Sequence, residues 1–442
     1  MKYSNIKILV ISHNAFSKNL NNGKTLESLF AKFPKNNIAQ LFFSQNEKPD
    51  IDFCENYFRI TDLDVLKNLF SLQKKSGEKL IIDKNLKKTQ NDNRNIQTNS
   101  RVWKFLQRRA SYLTLFRDLL WSIGSWKTKK LYKWIDNFNP DVIFYCGGDA
   151  GFSHSITTHI KKKYNLMLVS YFTDDYLINP IIRNPLDWIQ RKRMKKFYNN
   201  TVKNSTLLFA IGQLMAQEYS LYFQREFHSI MNSVSSNTFD RLQLHKLMNF
   251  NIKIGYFGGL HLNRWKMISH IGKILNEIIK EQKMDVDLLV YTNSTITEEI
   301  KENFNKNNIQ IKEPLGGEKL IAELINTDIL LHVESDERYY KSLTKLSVST
   351  KIPEYLLTRN CIVAYGPIDV ASIKLLNDNN IGIVINSSES NNIIEKKILE
   401  ILGNSEFRKR IGENGYLYAK NNFDAESIRN YFTKKIEGMF VL

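Results

Sequence analysis

The chain has 442 residues, of which 42% are hydrophobic, so it is long enough to bury the cores of two domains of about 200 residues each. Lys and Arg total 63 against 45 for Asp and Glu, and the net charge of +18 favours an anionic partner such as a phosphorylated ligand, acidic lipid or nucleic acid. The three cysteines, Cys54, Cys146 and Cys361, have no metal-binding spacing and form no disulfide framework, which indicates a reducing compartment. No apolar run reaches the roughly 18 residues of a membrane span, and the run at 6–12 is too short for a signal peptide, so we expect neither.

The first half of the chain alternates predicted strands and helices, which is typical of parallel sheets with crossover helices. The predicted strands are the apolar runs at 6–12, 38–43, 141–148, 166–175 and 205–212. A helix is predicted at 26–33, and the spacing of apolar residues predicts an amphipathic helix within 101–123. The polar stretch at about 73–100 lacks any period, so we interpret it as a mobile insertion or surface loop.

A second series of strands follows residues 230–250, a region of little apolar period that we interpret as a linker. The predicted strands of this series are 252–260, 285–292, 328–335, 361–367 and 381–385, with a helix at 267–282. The pattern predicts an α/β protein with two Rossmann-like, doubly wound domains, residues 1–240 and 241–424, facing each other across a cleft, and a last helix at 425–442. Ligands of such sheets bind beyond the carboxyl ends of the strands, so polar clusters at those ends are candidate sites.

The stretch STKIPEYLL gathers hydroxyls, a lysine and a glutamate at the predicted start of a helix. Pro353 suits a first turn, where a missing N–H has little effect. The free N–H groups there, with Ser349, Thr350 and Lys351, would attract a phosphate, and Glu354 would accept hydrogen bonds from a diol such as ribose. The alternative is an ordinary capped helix in which Glu354 favours the helix dipole.

The stretch GYFGGLHLNRW forms the second candidate cluster, because two adjacent glycines end a predicted strand. Gly258 and Gly259 would let the backbone approach a ligand closely, and Arg264 would grip a diphosphate with its planar guanidinium. The stretch lacks the G-x-G-x-x-G pattern, so dinucleotide binding is less favoured. The alternative is a tight turn with a solvated arginine.

The predicted first domain carries polar residues after three strands. Gly23 lies in NNGKT, which opens a helix but lacks the full pattern of a nucleotide-triphosphate loop. Asp149, His154, Asp174 and Asp175 follow strand ends and are candidates for binding acceptor hydroxyls. Adjacent aspartates point in different directions and no third ligand accompanies them, so we expect no metal site. An isolated histidine is more often structural than catalytic.

Together, GYFGGLHLNRW and STKIPEYLLTRNCIVAYGP resemble motifs of the retaining GT-B glycosyltransferases, and of glycosyltransferase family 4 in particular. The resemblance covers the second domain well and the first mainly by layout. That family has two glutamates separated by seven residues: Glu354 matches the second, which binds ribose, and Leu346 stands where the first is expected. Arg264 is similar to the basic diphosphate-binding position, although Gly259 replaces the usual neighbouring arginine, and Lys345 adds positive charge.

The resemblance implies transfer of a sugar, with retention and without a metal cofactor, from a nucleotide-sugar donor to a glycan or polyprenyl-linked acceptor, in bacterial surface polysaccharide synthesis. The last helix would cross back to the first domain. Catalytic contributions are expected from His154, Arg264 and Lys345, and acceptor binding from Asp149, Asp174 and Asp175. The residues expected to bind the donor are Gly23, Gly258, Gly259, Arg264, Ser349, Thr350, Lys351 and Glu354.

Basic residues and tryptophans concentrate in 101–134 and 184–203, a composition that suits an anionic membrane surface, although core helices with a solvated basic face are the alternative. We therefore expect a cytoplasmic protein, peripheral on the inner face of the cytoplasmic membrane. A basic nucleic-acid-binding protein is an alternative that would use the same charge, but a nucleic-acid partner is not expected, since no helix-turn-helix, zinc or RNA-recognition signature is present. A catalytically silent scaffold of a polysaccharide complex and a nucleotide-sugar epimerase are further alternatives.

Overall fold

A computed structural model describes residues 2–18, 21–69, 76–80, 111–124, 126–179, 181–243 and 251–440. The chain forms two compact units. Unit 1 comprises Met1–Ala210, Ala216–Ser229 and Tyr431–Leu442, and unit 2 comprises Ile211–Met215 and Ile230–Asn430. Most of the predicted mobile stretch 73–100 lies outside the described residues, as does the first part of the helix predicted within 101–123.

Unit 1 is built on an eight-stranded sheet with the strand order β4-β3-β2-β1-β5-β6-β7-β8. Strands β1 to β3 and β5 to β7 pair in parallel, and β4 pairs antiparallel to β3. The strands are β1 Ile8–Ser12, β2 Ile38–Phe42, β3 Asn56–Arg59, β4 Glu78–Lys79, β5 Val142–Gly147, β6 Met167–Phe172, β7 Leu207–Ile211 and β8 His228–Ile230.

The helices of unit 1 lie between these strands and after them. They are α1 Asn21–Phe30, α2 Asp62–Leu69, α3 Ser111–Ile123, α4 Lys129–Phe138, α5 Gly151–Tyr164 and α6 Pro185–Asn204. Helices α7 Gly212–Phe223 and α17 Ala425–Gly438 contribute residues to both units. Local sequence fixes several starts: Thr128 accepts a hydrogen bond from Leu131 N–H at α4, and Asn184 accepts one from Asp187 N–H at α6.

Aromatic side chains fill much of the core of unit 1. Trp121 stacks on Phe152 with ring centroids 4.0 Å apart, and Phe432 of α17 meets Phe30 and Phe144 edge-on at 5.2 and 5.6 Å. The end of the last helix is therefore part of this core, which explains why residues from 431 onward belong to unit 1.

Unit 2 contains a six-stranded, fully parallel sheet with the order β11-β10-β9-β12-β13-β14. Its strands are β9 Ile252–Phe257, β10 Val286–Tyr291, β11 Ile309–Lys312, β12 Ile329–Val333, β13 Cys361–Gly366 and β14 Ile383–Asn386. Its helices are α8 Ser236–Gln243, α9 Arg264–Gln282, α10 Glu298–Lys306, α11 Gly317–Asn326, α12 Arg338–Thr344, α13 Ile352–Leu357, α14 Ala371–Asp378, α15 Asn391–Gly403 and α16 Ser405–Asn422.

Central strands such as β1, β12 and β13 are buried along their whole length, as expected where helices cover both faces of a parallel sheet. The prediction of an α/β protein with two doubly wound sheets is confirmed. None of the helices in the described part of the chain is long and apolar enough to cross a bilayer.

Each sheet has one point where the strand order reverses, between β1 and β5 in unit 1 and between β9 and β12 in unit 2. Strands β9 and β12 pair only through Ile254↔Ile329 and Gly255↔Leu330, although β9 continues to Phe257. The two strands therefore separate before their carboxyl ends, and the opening is the position at which doubly wound sheets bind ligands.

Candidate active site

The candidate site lies in unit 2, where β9 and β12 end beside each other. Gly258 follows β9, and Glu334 follows β12. The loop after β9 ends at Asn263, whose left-handed backbone (φ 57°) starts α9 at Arg264. Glu337 fixes this start, because its Oε1 accepts hydrogen bonds from Asn263 Nδ2 at 2.7 Å and Lys266 Nζ at 2.8 Å.

Tyr355 docks α13 into the gap between the separated strands. Its hydroxyl accepts a hydrogen bond from Phe257 N–H and donates one to Phe257 C=O, both at 3.2 Å. On the side of β9 that faces β12, no described strand pairs with Phe257. The Tyr355 hydroxyl therefore serves as the hydrogen-bond partner of its backbone N–H and C=O. Lys351 lies one turn earlier and is the residue whose C=O accepts from Tyr355 N–H, so the docking of Tyr355 also positions Lys351.

Arg264 and Glu334 form a buried ion pair in this opening. Arg264 Nη2 lies 3.2 Å from both carboxylate oxygens of Glu334, whose side chain is only 2% exposed. Burial raises the pKa of Glu334, but the Arg264 guanidinium and His332 outweigh burial and lower that pKa to about 2. The carboxylate is therefore charged at neutral pH. Arg264 Nε is buried and has no hydrogen-bond partner among the described residues.

The ammonium of Lys351 is the second cation of the candidate site. Its Nζ lies 5.6 Å from the centre of the Tyr256 ring, and no residue in the described ranges accepts a hydrogen bond from it. A Cβ on Gly258 would lie 1.7 Å from this Nζ, so the absence of a side chain at Gly258 makes room for the ammonium. Desolvation, followed by the charge of Arg264, lowers the pKa of Lys351 to about 8.

The polar residues before α13 are partly engaged. Ser349 N–H donates to Ser372 Oγ at 2.9 Å, and Ile352 N–H donates to Ser349 C=O at 3.2 Å. Thr350 is exposed, and Glu354 lies half-buried in the first turn of α13. Two backbone N–H groups before α13 thus already have acceptors, so fewer remain for a phosphate than predicted. Donor binding by Ser349, Thr350, Lys351 and Glu354 stays a prediction.

Lys345 and Leu346 occupy different environments at the end of α12. Lys345 Nζ lies 3.9 Å from Asp369 Oδ2, beside Lys341, which pairs with Asp369 Oδ1 at 2.7 Å. Leu346 is 2% exposed, so the position where the family resemblance expects a glutamate is part of the core. A catalytic role for Lys345 stays a prediction.

The structure places His154 in the interior of unit 1. The residue is 1% exposed, and its ring nitrogens lie 2.9 Å from Thr201 Oγ1 and 3.2 Å from the Gly148 carbonyl oxygen. Desolvation lowers the pKa of His154 to about 4, so the ring is neutral at physiological pH. Both nitrogens are engaged within the core, and this geometry does not support the predicted catalytic role.

The three aspartates proposed for acceptor binding are not equivalent. Asp175 is buried and accepts hydrogen bonds from the backbone N–H groups of 177, 178 and 179, and from the side chains of Tyr219 and Asn179. Through these hydrogen bonds, Asp175 fixes the backbone of the loop after β6. Asp149 and Asp174 are half-buried, and acceptor binding by them stays a prediction.

Gly23 and Gly259 each lie close to other atoms of their own unit. A Cβ on Gly23 would lie 2.1 Å from the Ala15 carbonyl oxygen, so Gly23 lets α1 pack against the loop after β1. A Cβ on Gly259 would lie 2.4 Å from His261 Nδ1. Both glycines are thus explained by contacts within their own unit, and donor binding by them stays a prediction.

Sequence reasoning missed Glu334 and Tyr355, although Glu334 had a signal. Glu334 follows the apolar run DILLHV directly, at the end of the strand beside the order reversal.

In unit 1, His13 follows β1 in the corresponding place; desolvation and Arg117 lower its pKa, while Asp149 raises it. The described residues contain no group of three or more His, Cys, Asp or Glu side chains that could hold a metal ion.

Comparisons by sequence found no protein-family model and no curated protein that matches. Comparison by structure matched many solved chains. The sucrose-phosphate synthase of Thermosynechococcus elongatus matches with a TM-score of 0.63 and 10% identity over 98% of this chain and 99% of that chain. Anabaena HepE, solved in complex with UDP, matches with a TM-score of 0.60 and 12% identity over 98% and 100%. A Listeria monocytogenes chain described as a putative UDP-N-acetylglucosamine 2-epimerase matches with a TM-score of 0.53 and 11% identity over 99% and 97%.

These matches extend over nearly the whole chain and confirm the predicted GT-B fold. At such low identity they show the fold, and the roles of individual residues depend on the geometry described above.

Proposed function

We propose that unit 2 binds the diphosphate of a nucleotide sugar and that the protein is a glycosyltransferase. One observation carries this proposal: Arg264 Nε and Lys351 Nζ, at the strand-order reversal of unit 2, have no hydrogen-bond acceptor among the described residues. Desolvated cationic donors of this kind suit phosphate oxygens. Anabaena HepE, which shares the fold, was solved in complex with UDP, and this supports a nucleotide-sugar donor.

The remaining donor contacts follow from the neighbouring elements. Glu354, on the first turn of α13 just after Lys351, would accept hydrogen bonds from the ribose hydroxyls. Ser349 and Thr350 would add hydroxyl donors, and Lys345 further positive charge. We propose no metal requirement, because Arg264 and Lys351 supply the charge that the departing diphosphate needs.

The proposed reaction is transfer with retention to a glycan or polyprenyl-linked acceptor in bacterial surface polysaccharide synthesis. The acceptor hydroxyl oxygen bonds to the anomeric carbon as the bond from that carbon to the diphosphate oxygen breaks. Attack occurs on the face from which the nucleoside diphosphate departs, and the hydroxyl proton passes to the departing diphosphate. Arg264 and Lys351 stabilise the negative charge that develops on the diphosphate.

A thermal-shift panel of UDP-, GDP- and CMP-sugars tests donor binding. We expect a nucleoside diphosphate sugar to raise the melting temperature of the wild type, and Lys351→Met to weaken binding about 10- to 100-fold through the lost charged hydrogen bond. Lys266→Met is the matched control, because Lys266 lies in the first turn of α9, in the same unit, and pairs with the exposed Glu337. No shift with any of these sugars, or equal loss in both variants, would contradict the proposal.

Nucleotide-sugar epimerisation is the second candidate, favoured by the fold shared with the putative Listeria epimerase. Release of an epimerised sugar in the absence of any acceptor would identify it. Donor binding without any turnover would instead identify a catalytically silent scaffold.

We also propose that unit 1 docks on an anionic membrane surface and that the protein is cytoplasmic and peripheral. Helix α6 is strongly basic and carries exposed apolar side chains near its start, including Trp188, which is 53% exposed. Lys192 Nζ lies 5.2 Å from the Trp188 ring centre, so charge and apolar surface occur together.

Co-sedimentation with vesicles of neutral lipid, with and without acidic lipid, tests membrane docking. We expect binding only with acidic lipid, weakened by Trp188→Ala and unchanged by Leu417→Ala, an exposed apolar residue of unit 2. Equal, negligible binding to both kinds of vesicle would remove this part of the proposal.

A further inference from the structure

Glu334 is a buried acid beside the cations of the candidate site, and the proposed reaction does not yet use it. It follows β12 at the strand-order reversal, and its backbone N–H donates to the Tyr365 carbonyl at 3.1 Å, so the sheet itself fixes its position. Gly366, beside it, allows the two strand ends to approach, because a Cβ there would lie 2.7 Å from the Glu334 carbonyl oxygen.

The carboxylate of Glu334 forms an end-on ion pair with the Arg264 guanidinium, through Nη2. Both of its oxygens lie 3.2 Å from the same nitrogen, Nη2, while the buried Nε is without a partner in the described part of the chain. A side-on pair would have occupied Nε as well. The guanidinium is therefore fixed in orientation and still has a buried N–H to donate.

We infer that Glu334 is a positioning residue of the anion site: it fixes the Arg264 guanidinium through Nη2 and keeps Nε available for a phosphate oxygen. The inference rests on the proposed function, because it assigns a role within the proposed diphosphate site.

Glu334 also has a charge role at the same site, through the ammonium of Lys351. Arg264 of α9 opposes its ammonium, whereas Glu334 after β12 and Glu354 of α13 favour it. The hydroxyls of Tyr256 and Tyr355 complete the titratable surroundings, and burial raises the pKa of both, so they are neutral at physiological pH. Of the two acids, Glu334 acts more strongly on Lys351.

Removing the charge of Glu334 would therefore leave the charge of Arg264 acting on the desolvated Lys351 without the stronger of the two opposing acids. Lys351 can release its proton and Arg264 cannot, so Lys351 would become neutral near physiological pH. In the wild type, Glu334 partly offsets the charge of Arg264, and the pKa of Lys351 is about 8.

The first test measures Lys351 without any ligand. NMR of lysine labelled with 13C at Cε follows its titration, and Lys351→Arg identifies the signal. We expect Glu334→Gln to lower the Lys351 midpoint by about one unit, and Glu337→Gln to leave it unchanged, because Glu337 pairs with Asn263 and Lys266. An unchanged midpoint in Glu334→Gln would overturn the charge role.

The second test measures positioning by calorimetric titration with inorganic pyrophosphate and UDP at pH 6.5. Glu334→Asp keeps the charge but withdraws the carboxylate from Arg264 Nη2, and we expect about a 10-fold loss of affinity. Affinity equal to that of the wild type would overturn the positioning role. A wild type that binds neither compound would instead contradict the proposed function, while the NMR result on Lys351 would stand independently.

Discussion

The position of the Lys351 side chain explains why residue 258 is a glycine. The prediction from sequence was that this glycine lets a ligand approach the backbone, whereas the structure shows the space beside its Cα holding the Lys351 ammonium. We expect Gly258→Ala to displace this flexible side chain at a cost below about 1 kcal/mol in stability but to lower nucleoside-diphosphate affinity about 10-fold.

Thermal melting and calorimetric titration of the variant measure the two effects separately. Gly316→Ala is the control, because a Cβ at Gly316 would meet no atom within 4 Å. Unchanged affinity in Gly258→Ala would show that the position of the ammonium does not matter for binding.

Glu27 gives unit 1 a pH-dependent stability. Burial, followed by the charge of Asp50, raises the pKa of Glu27 to about 7. A carboxyl whose pKa is higher in the folded state contributes stability below its unfolded pKa of about 4.5, and this contribution is lost as pH rises through about 7. The wild type should therefore become less stable between pH 5 and pH 8.

Glu27→Gln should remove this loss. We expect the variant to exceed the wild type in unfolding free energy at pH 8 by up to about 1 kcal/mol, a value that allows for solvent screening of a half-buried group. Urea titrations at pH 5 and pH 8 measure the difference. Glu55→Gln, in the exposed pair with Lys35, is the control, and identical pH profiles for wild type and Glu27→Gln would contradict the assignment.

At the scale of elements, the short helix α13 is anchored to the sheet by one hydroxyl. Tyr355→Phe removes both hydrogen bonds to Phe257 and leaves a buried backbone N–H and C=O unpaired. We expect a loss of about 1–3 kcal/mol in stability, and weaker diphosphate binding because Lys351 lies on the same helix face.

Chemical denaturation and UDP titration check the two consequences of Tyr355→Phe. Tyr418→Phe is the control in the same unit, since no described residue forms a hydrogen bond with that hydroxyl. An equal change in the two variants would show that Tyr355 does not anchor α13.

The elements predicted from sequence were those with strong local signals. Long apolar runs identified β1, β5, β9, β12 and β13, because strands buried on both faces need apolar residues throughout. Strands β3, β4, β8 and β11 were missed. β4 has two residues and β11 is mostly exposed, so neither carries a run that distinguishes it from a loop.

The candidate site was only partly predictable for a different reason. Arg264 and Lys351 stood out through their motifs, yet Glu334, the partner of Arg264, comes from a strand end 70 residues further along the chain. His154 follows a strand end and was expected to contribute to catalysis, but its helix places the ring beside Thr201. Such pairings depend on sheet order, which local sequence does not contain.

At the scale of the whole molecule, the GT-B fold persists in solved chains that share 10–12% identity with this one. A fold shared at this level of identity leaves the residues around the strand-order reversals free to differ. Leu346 and Glu334 illustrate this freedom, because the site has a leucine where the family resemblance expects a glutamate and a buried acid at the end of β12.

The most direct measurement is a crystal structure of the protein soaked with a nucleoside diphosphate that stabilises it. The account predicts phosphate oxygens within hydrogen-bond distance of Lys351 Nζ and the Arg264 guanidinium, with the Arg264–Glu334 pair intact. Phosphates bound elsewhere, with both cations left as they are in the free protein, would contradict it.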